Sequence, residues 1–112
     1  MAYTTIDKPD TYFNTVLYTG NGGSQSITGV NFRPDWIWIK NRDDTDSSNI
    51  FDSVRGSTEV LFSDQTTAEI DTGTRLTSFD TDGFSINSTS GQINFSGEKY
   101  ASWNWLASNT TA

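Results

Sequence analysis

Apolar and polar residues alternate in short runs along this chain, and each run is bounded by Gly, Asn, Asp or Ser. That period of two is the signature of half-buried strands. Phe13 to Thr19 reads as a strand ending at the turn Gly20-Asn21-Gly22-Gly23, with Gln25 to Thr28 as the returning strand of a hairpin. Pro34 precedes a strand over residues 35–41, and the polar run Arg42 to Ser48 is a loop. Asn49 to Val54 and Glu59 to Ser63 follow as strands joined through Arg55-Gly56-Ser57, whereas Asp64 to Gly73 carries no clear period. Arg75 to Phe79 and Phe84 to Asn87 flank Asp80-Thr81-Asp82-Gly83, a hairpin turn, and Tyr100 to Leu106 forms the last strand. The pattern predicts an all-β antiparallel β-sandwich of about seven or eight short strands. Residues 12–107 make the sandwich domain, 1–11 an N-terminal arm with Pro9 opposing regular pairing, and 108–112 a flexible tail.

One strand breaks the alternation. Trp36-Ile37-Trp38-Ile39 is apolar on both faces, with the two Trp on one side and the two Ile on the other. Something besides the opposite sheet therefore covers it: a neighbouring subunit, a chain terminus, or a bound ligand such as a sugar. The alternation leaves open which pair points inward. In the last strand Trp103 and Trp105 share a face with Ala101 and Ala107, opposite Ser102 and Asn104. Hydrophobicity puts this second Trp pair inside.

The 112 residues allow one domain with a single core, filled largely from four Trp, seven Phe and four Tyr. Fourteen acidic residues against seven basic give a net charge of −7, which argues against nucleic acid or an anionic membrane as partner. The absence of Cys rules out disulfides and thiolate metal sites. With no His either, the commonest general base and the thiol nucleophile are both missing. Only Glu59, Glu69 and Glu98 offer glutamates for a two-carboxylate glycosidase, and none sits in a recognisable motif. The reading is non-enzymatic. The opening Met1-Ala2-Tyr3-Thr4-Thr5-Ile6-Asp7 lacks the basic region and apolar core of a signal peptide, so a soluble chain made in a cytoplasm is expected.

Two acidic clusters resemble parts of a calcium loop, Asp43, Asp44 and Asp46 with Ser48, and Asp80 with Asp82 before Gly83. Both lack the glycine and distal glutamate of an EF-hand, and Asp, Asn and Ser favour turns on their own account. No cofactor is expected, with calcium as the alternative. For carbohydrate, Trp36 and Trp38 supply stacking rings, and Arg42, Asp43 and Asp46 supply hydrogen-bonding groups. The sequon matches Asn87-Ser88-Thr89, Asn94-Phe95-Ser96 and Asn109-Thr110-Thr111 are expected by chance in a chain of this composition.

Several stretches together resemble a β-sandwich domain that recurs in virion structural proteins of tailed bacteriophages. They are Tyr18-Thr19-Gly20-Asn21-Gly22, Pro34-Asp35-Trp36-Ile37-Trp38-Ile39-Lys40-Asn41-Arg42 and Phe51-Asp52-Ser53-Val54-Arg55-Gly56. Leu76 to Phe84, Tyr100 to Trp105 and the opening Ala2 to Asp7 extend the likeness over nearly the whole chain. The resemblance implies a jelly-roll or lectin-like sandwich used in tail fibres, appendages or capsid decoration, and a virion location. It brings no catalytic or binding residue to carry over. Proteins of this kind are often longer, which leaves two expectations: a complete small virion protein, or one domain of a larger one.

The functional expectation is a structural subunit that forms a homo-oligomer or docks on other virion proteins. Tyr3, Ile6, Tyr12, Phe13, Trp36 and Trp38 are its candidate interface. The alternative is an adhesin for host-surface glycans, using Trp36, Trp38, Arg42, Asp43 and Asp46.

Overall fold

The structure, a computed structural model, describes residues 12–66, 68–71 and 75–107. Among these residues the protein is all-β, without a helix, and forms two antiparallel sheets. The strands are β1 (Phe13–Thr19), β2 (Ser24–Ile27), β3 (Trp36–Asn41), β4 (Asn49–Asp52), β5 (Gly56–Phe62), β6 (Ile70–Asp71), β7 (Leu76–Asp80), β8 (Gly83–Asn87) and β9 (Lys99–Trp105). The larger sheet has the order β1-β9-β3-β4-β5-β6, and the smaller β2-β8-β7. The first strand pairs with the last and the second with the last but one, so the chain rolls up from both ends. The arm 1–11 and tail 108–112 lie outside the described residues.

The core sits between the sheets. Ile37, Ile39, Phe51, Val60 and Phe62 come from the larger sheet with Tyr100, while Ile27, Leu76, Phe84 and Ile86 come from the smaller one. Ile93, inside the polar stretch between β8 and β9, is fully buried among them. The β7–β8 hairpin forms at Asp80–Gly83 as its turn sequence predicts. Nine strands replace the expected seven or eight because β6 is a two-residue strand in the stretch with no period.

Two expectations are overturned. The first is the hairpin of β1 with β2. They lie in different sheets, and Gly20–Gly23 carries the chain across. Asn94, fully buried, grips this crossing: its Nδ2 donates to Asn21 Oδ1 at 3.1 Å and to Gly23 O at 2.7 Å, and its Oδ1 accepts from Asn21 N at 3.1 Å. Gly20 packs so closely there that a Cβ would lie 2.3 Å from Phe95 O. With Asn94 engaged in this way, its sequon match has a structural use instead.

The second is the placing of Trp103 and Trp105 inside. Ser102 and Asn104 are fully buried along with Tyr100 on the inner side of β9, and the two Trp lie on the outer side, half-buried. The ladder explains the inversion. β3 and β9 pair Trp36 with Trp105, Ile37 with Asn104, Trp38 with Trp103 and Ile39 with Ser102. Directly paired residues share a face, so the interior receives either four indoles or Ile37, Ile39, Ser102 and Asn104. Opposite a sheet of only three strands, the smaller set fits. The buried donors find partners: Ser102 Oγ donates to Val16 O at 3.1 Å, and Asn104 Nδ2 donates to Asn14 O at 3.1 Å. The same ladder resolves the ambiguity of β3, with Ile37 and Ile39 inside and Trp36 and Trp38 outside.

Candidate functional site

The outer face of the larger sheet collects what the core leaves out. One row runs Phe13, Trp105, Trp36, Asp52 across β1, β9, β3 and β4, and the next runs Thr15, Trp103, Trp38, Ile50. Ring centroids are 4.8 Å apart for Phe13 and Trp105, 4.3 Å for Trp36 and Trp105, 6.4 Å for Trp36 and Trp38, and 5.8 Å for Trp38 and Trp103. Five aromatic rings thus form one connected surface, each ring touching the next within the range where aromatic pairs attract. The indole Nε1 of Trp38 is buried here without a hydrogen-bond partner.

Polar groups frame the aromatic rows. Beyond Trp36, Asp52 accepts from Arg55 N at 2.8 Å and from Arg55 Nε at 2.6 Å, while Arg55 Nη2 donates to Ile50 O at 3.3 Å. Burial pushes the Asp52 carboxyl up, but the Arg55 N–H groups and guanidinium outweigh it and hold the group below the usual range. At the other end, Lys40 Nζ donates to the carbonyls of Asp44 and Asp46, fastening the Arg42–Ser48 loop. The face can stack on rings and bury apolar surface, with charged groups at its borders.

That loop brings together Asp44, Asp46 and Glu98, whose carboxylate oxygens lie within 4.8 Å of one another. Asn41, almost fully buried, lies beside them, its Nδ2 donating to Gly91 O at 2.8 Å, to Asp46 Oδ2 at 3.4 Å and to Glu98 Oε2. Its Oδ1 accepts from the backbone N–H of Asp43 and Asp44. Tyr100 OH donates to the same Gly91 carbonyl, and its pKa is pushed up to about 12 by burial, followed by the charges of Glu98, Asp46 and Asp43. The three carboxylates are the residues of this region that could hold a cation, and the Asn41 amide is already placed among them.

The sequence candidates are distributed as follows. Phe13, Trp36 and Trp38 join one surface, Tyr12 O accepts from Leu106 N at 2.7 Å beside it, and Tyr3 and Ile6 lie outside the described residues. Arg42 is exposed at the far end of β3, and Asp43 Oδ2 accepts from Lys99 N at 2.8 Å. Asp80 accepts from Ser78 Oγ and Ser85 Oγ, and Asp82 from Gly29 N at 3.0 Å and Asn31 N at 2.7 Å. Those N–H groups hold the Asp82 carboxyl below its ordinary range. Trp103 and Trp105 were not among the sequence candidates, and Glu98 was weighed only as a glycosidase glutamate, not as a cation ligand. Reading β3 and β9 as paired neighbours is the signal that finds the two Trp; Glu98 is remote in sequence from the loop it joins.

Among the described residues, no helix is long and apolar enough to cross a membrane. Residues 8–112 match one family model, whose description is Domain of unknown function (DUF7483). Neither the curated proteins nor the solved structures contain a match to the chain.

Proposed function

For a chain that belongs to this family of unknown function, we propose the role of a non-enzymatic structural protein of a tailed-phage virion, a decoration, fibre or appendage subunit. It acts by self-assembly or by docking on other virion proteins through the outer face of its larger sheet. One observation carries the docking role: four indoles and Phe13 lie in contact on a face turned away from a core that is already filled. Aromatic surface of this kind is what protein interfaces concentrate at their centres. The virion setting rests on the sequence resemblance. The test is the mass of the purified chain by light scattering over a concentration series, alone and with virion proteins, for the wild type and for Trp36→Ser with Trp103→Ser. Loss of complexes in the double variant, with its fold intact, is the expected result. Complexes that survive it remove the face from the account.

A second reading is a glycan-binding adhesin, favoured by the rings of the outer face. Trp36 and Trp38 stand next to each other on one strand, 6.4 Å apart, and present aromatic faces on which a sugar ring can stack. Addition of host-surface glycans then quenches or shifts tryptophan fluorescence. An unchanged spectrum across a glycan panel excludes this role.

A further inference from the structure

We infer that β1 is a self-pairing edge: two copies of this chain join β1 to β1 antiparallel, about a two-fold axis at Thr15, into one continuous sheet. This rests on the assembly reading above and specifies its contact.

The ladder fixes which backbone groups are free. Leu106 N donates to Tyr12 O at 2.7 Å and Gly20 N to Glu98 O at 2.8 Å, and the β1–β9 register runs between these bonds without a break. In an antiparallel pair the hydrogen-bonded residues alternate with those whose groups point away. Asn14, Val16 and Tyr18 therefore bond to β9, and the N–H and C=O of Phe13, Thr15, Leu17 and Thr19 point to the opposite side. Among the described residues no strand lies there. Of these outward groups Thr19 O accepts from Gln25 Nε2 at 3.1 Å, which leaves Phe13, Thr15 and Leu17 as the open run.

Among the described residues this edge has none of the usual guards. Natural sheets protect their edges with charge, proline, bulges or brevity. β6 has two residues, one of them Asp71. β7 carries Asp80 and a break in register between Leu76 and Ser78. β2 has four residues. β1 is seven residues long and regular, without a charge or a proline, in a chain that is 19% charged.

The run is also complementary to itself. A two-fold at Thr15 sets Phe13 of each copy opposite Leu17 of the other and Thr15 opposite Thr15, each pair exchanging both of its backbone bonds. Phe13 and Leu17 are 36% and 59% exposed, so each covers an apolar group otherwise left in water. Because antiparallel pairing keeps faces in common, both tryptophan faces lie on the same side of the joined sheet. The isologous pair thereby doubles the aromatic surface offered for docking.

The experiment is sedimentation of the full chain over a concentration series, with Leu17→Lys and with single cysteines at Thr15 and Thr19 in a chain that otherwise has none. The wild type is expected to form a dimer, and Leu17→Lys to weaken it by about tenfold or more, with the melting temperature of the monomer, read at concentrations too low for the dimer, unchanged. Thr15→Cys is expected to oxidise to a disulfide-linked dimer, and Thr19→Cys to remain unlinked. A dimer indifferent to Leu17→Lys and not captured by Thr15→Cys overturns the pairing; its loss in Trp36→Ser alone keeps assembly through the aromatic face. A wild type monomeric throughout also overturns the pairing, while docking on other virion proteins is read separately from Trp36→Ser.

Discussion

Trp36 and Trp105 face each other across the β3–β9 ladder with ring centroids 4.3 Å apart, on the solvent side of the sheet. Their contact is made outside the core, so each is expected to cost less on truncation than a core aromatic. Phe51→Ala, at a fully buried position, should cost about 3–5 kcal/mol. Trp36→Ala and Trp105→Ala should each cost less, with a coupling of about 1 kcal/mol in a double-mutant cycle. Urea unfolding of the four variants measures this, and strict additivity would deny the contact.

Asn104 gives the interior a polarity test. Its Nδ2 has three acceptors, Asn14 O, Ser102 O and Ser102 Oγ, while its Oδ1 is buried with no partner. The residue is needed as a donor. Asn104→Ala is expected to cost about 1–3 kcal/mol. Asn104→Asp should cost more, since it removes the donors and leaves a buried charge. If calorimetry finds the aspartate variant as stable as wild type, the buried position of this side chain is refuted.

Asp82 links acidity to the loop between β2 and β3. Its carboxylate accepts from Gly29 N and Asn31 N, and these bonds lower its pKa in the folded state. A depressed folded pKa contributes stability that is present above the unfolded value, about 3.9, and is lost as pH falls through the folded value. The amide protons of Gly29 and Asn31 should titrate together by NMR with a midpoint below 3.9, and Asp82→Asn should abolish that titration. A midpoint at or above the unfolded value would contradict the clamp.

Asn41 determines how the acidic loop answers calcium. Its amide donates to Asp46, Glu98 and Gly91, so the wild-type melting temperature is expected to be the same with calcium as with chelator. Asn41→Asp replaces that donor by a fourth carboxylate. The variant should melt lower in chelator and recover with calcium, a cation suited to several oxygen ligands. A wild-type chain that melts higher with calcium would show that the amide does not exclude the ion.

Much of the architecture was legible because period two and turn chemistry act locally. β1 has the bounds its alternation predicts, and Asp80–Gly83 closes the hairpin it encodes. The Gly20–Gly23 turn misled because its partner is a buried Asn94 far along the chain. The tryptophan face was half legible. Trp36 and Trp38 stood out, but hydrophobicity sent Trp103 and Trp105 inward, and only the pairing of β3 with β9 reverses that. Ser102 and Asn104 read as surface residues because a sequence does not reveal the backbone carbonyls of Val16 and Asn14 that receive them.

The Tyr12–Leu106 bond has a mechanical consequence. It closes one end of the β1–β9 ladder and holds Tyr12 and Leu106 side by side. Tension applied between those two residues loads the cross-strand bonds along their own axes, because antiparallel bonds run perpendicular to the strands. The ladder therefore unzips one pair at a time from Tyr12 and Leu106 inward and does not shear as a unit. Pulled apart at Tyr12 and Leu106, the ladder yields first at Phe13 and Trp105, and the aromatic rows part there before the core between the sheets is touched.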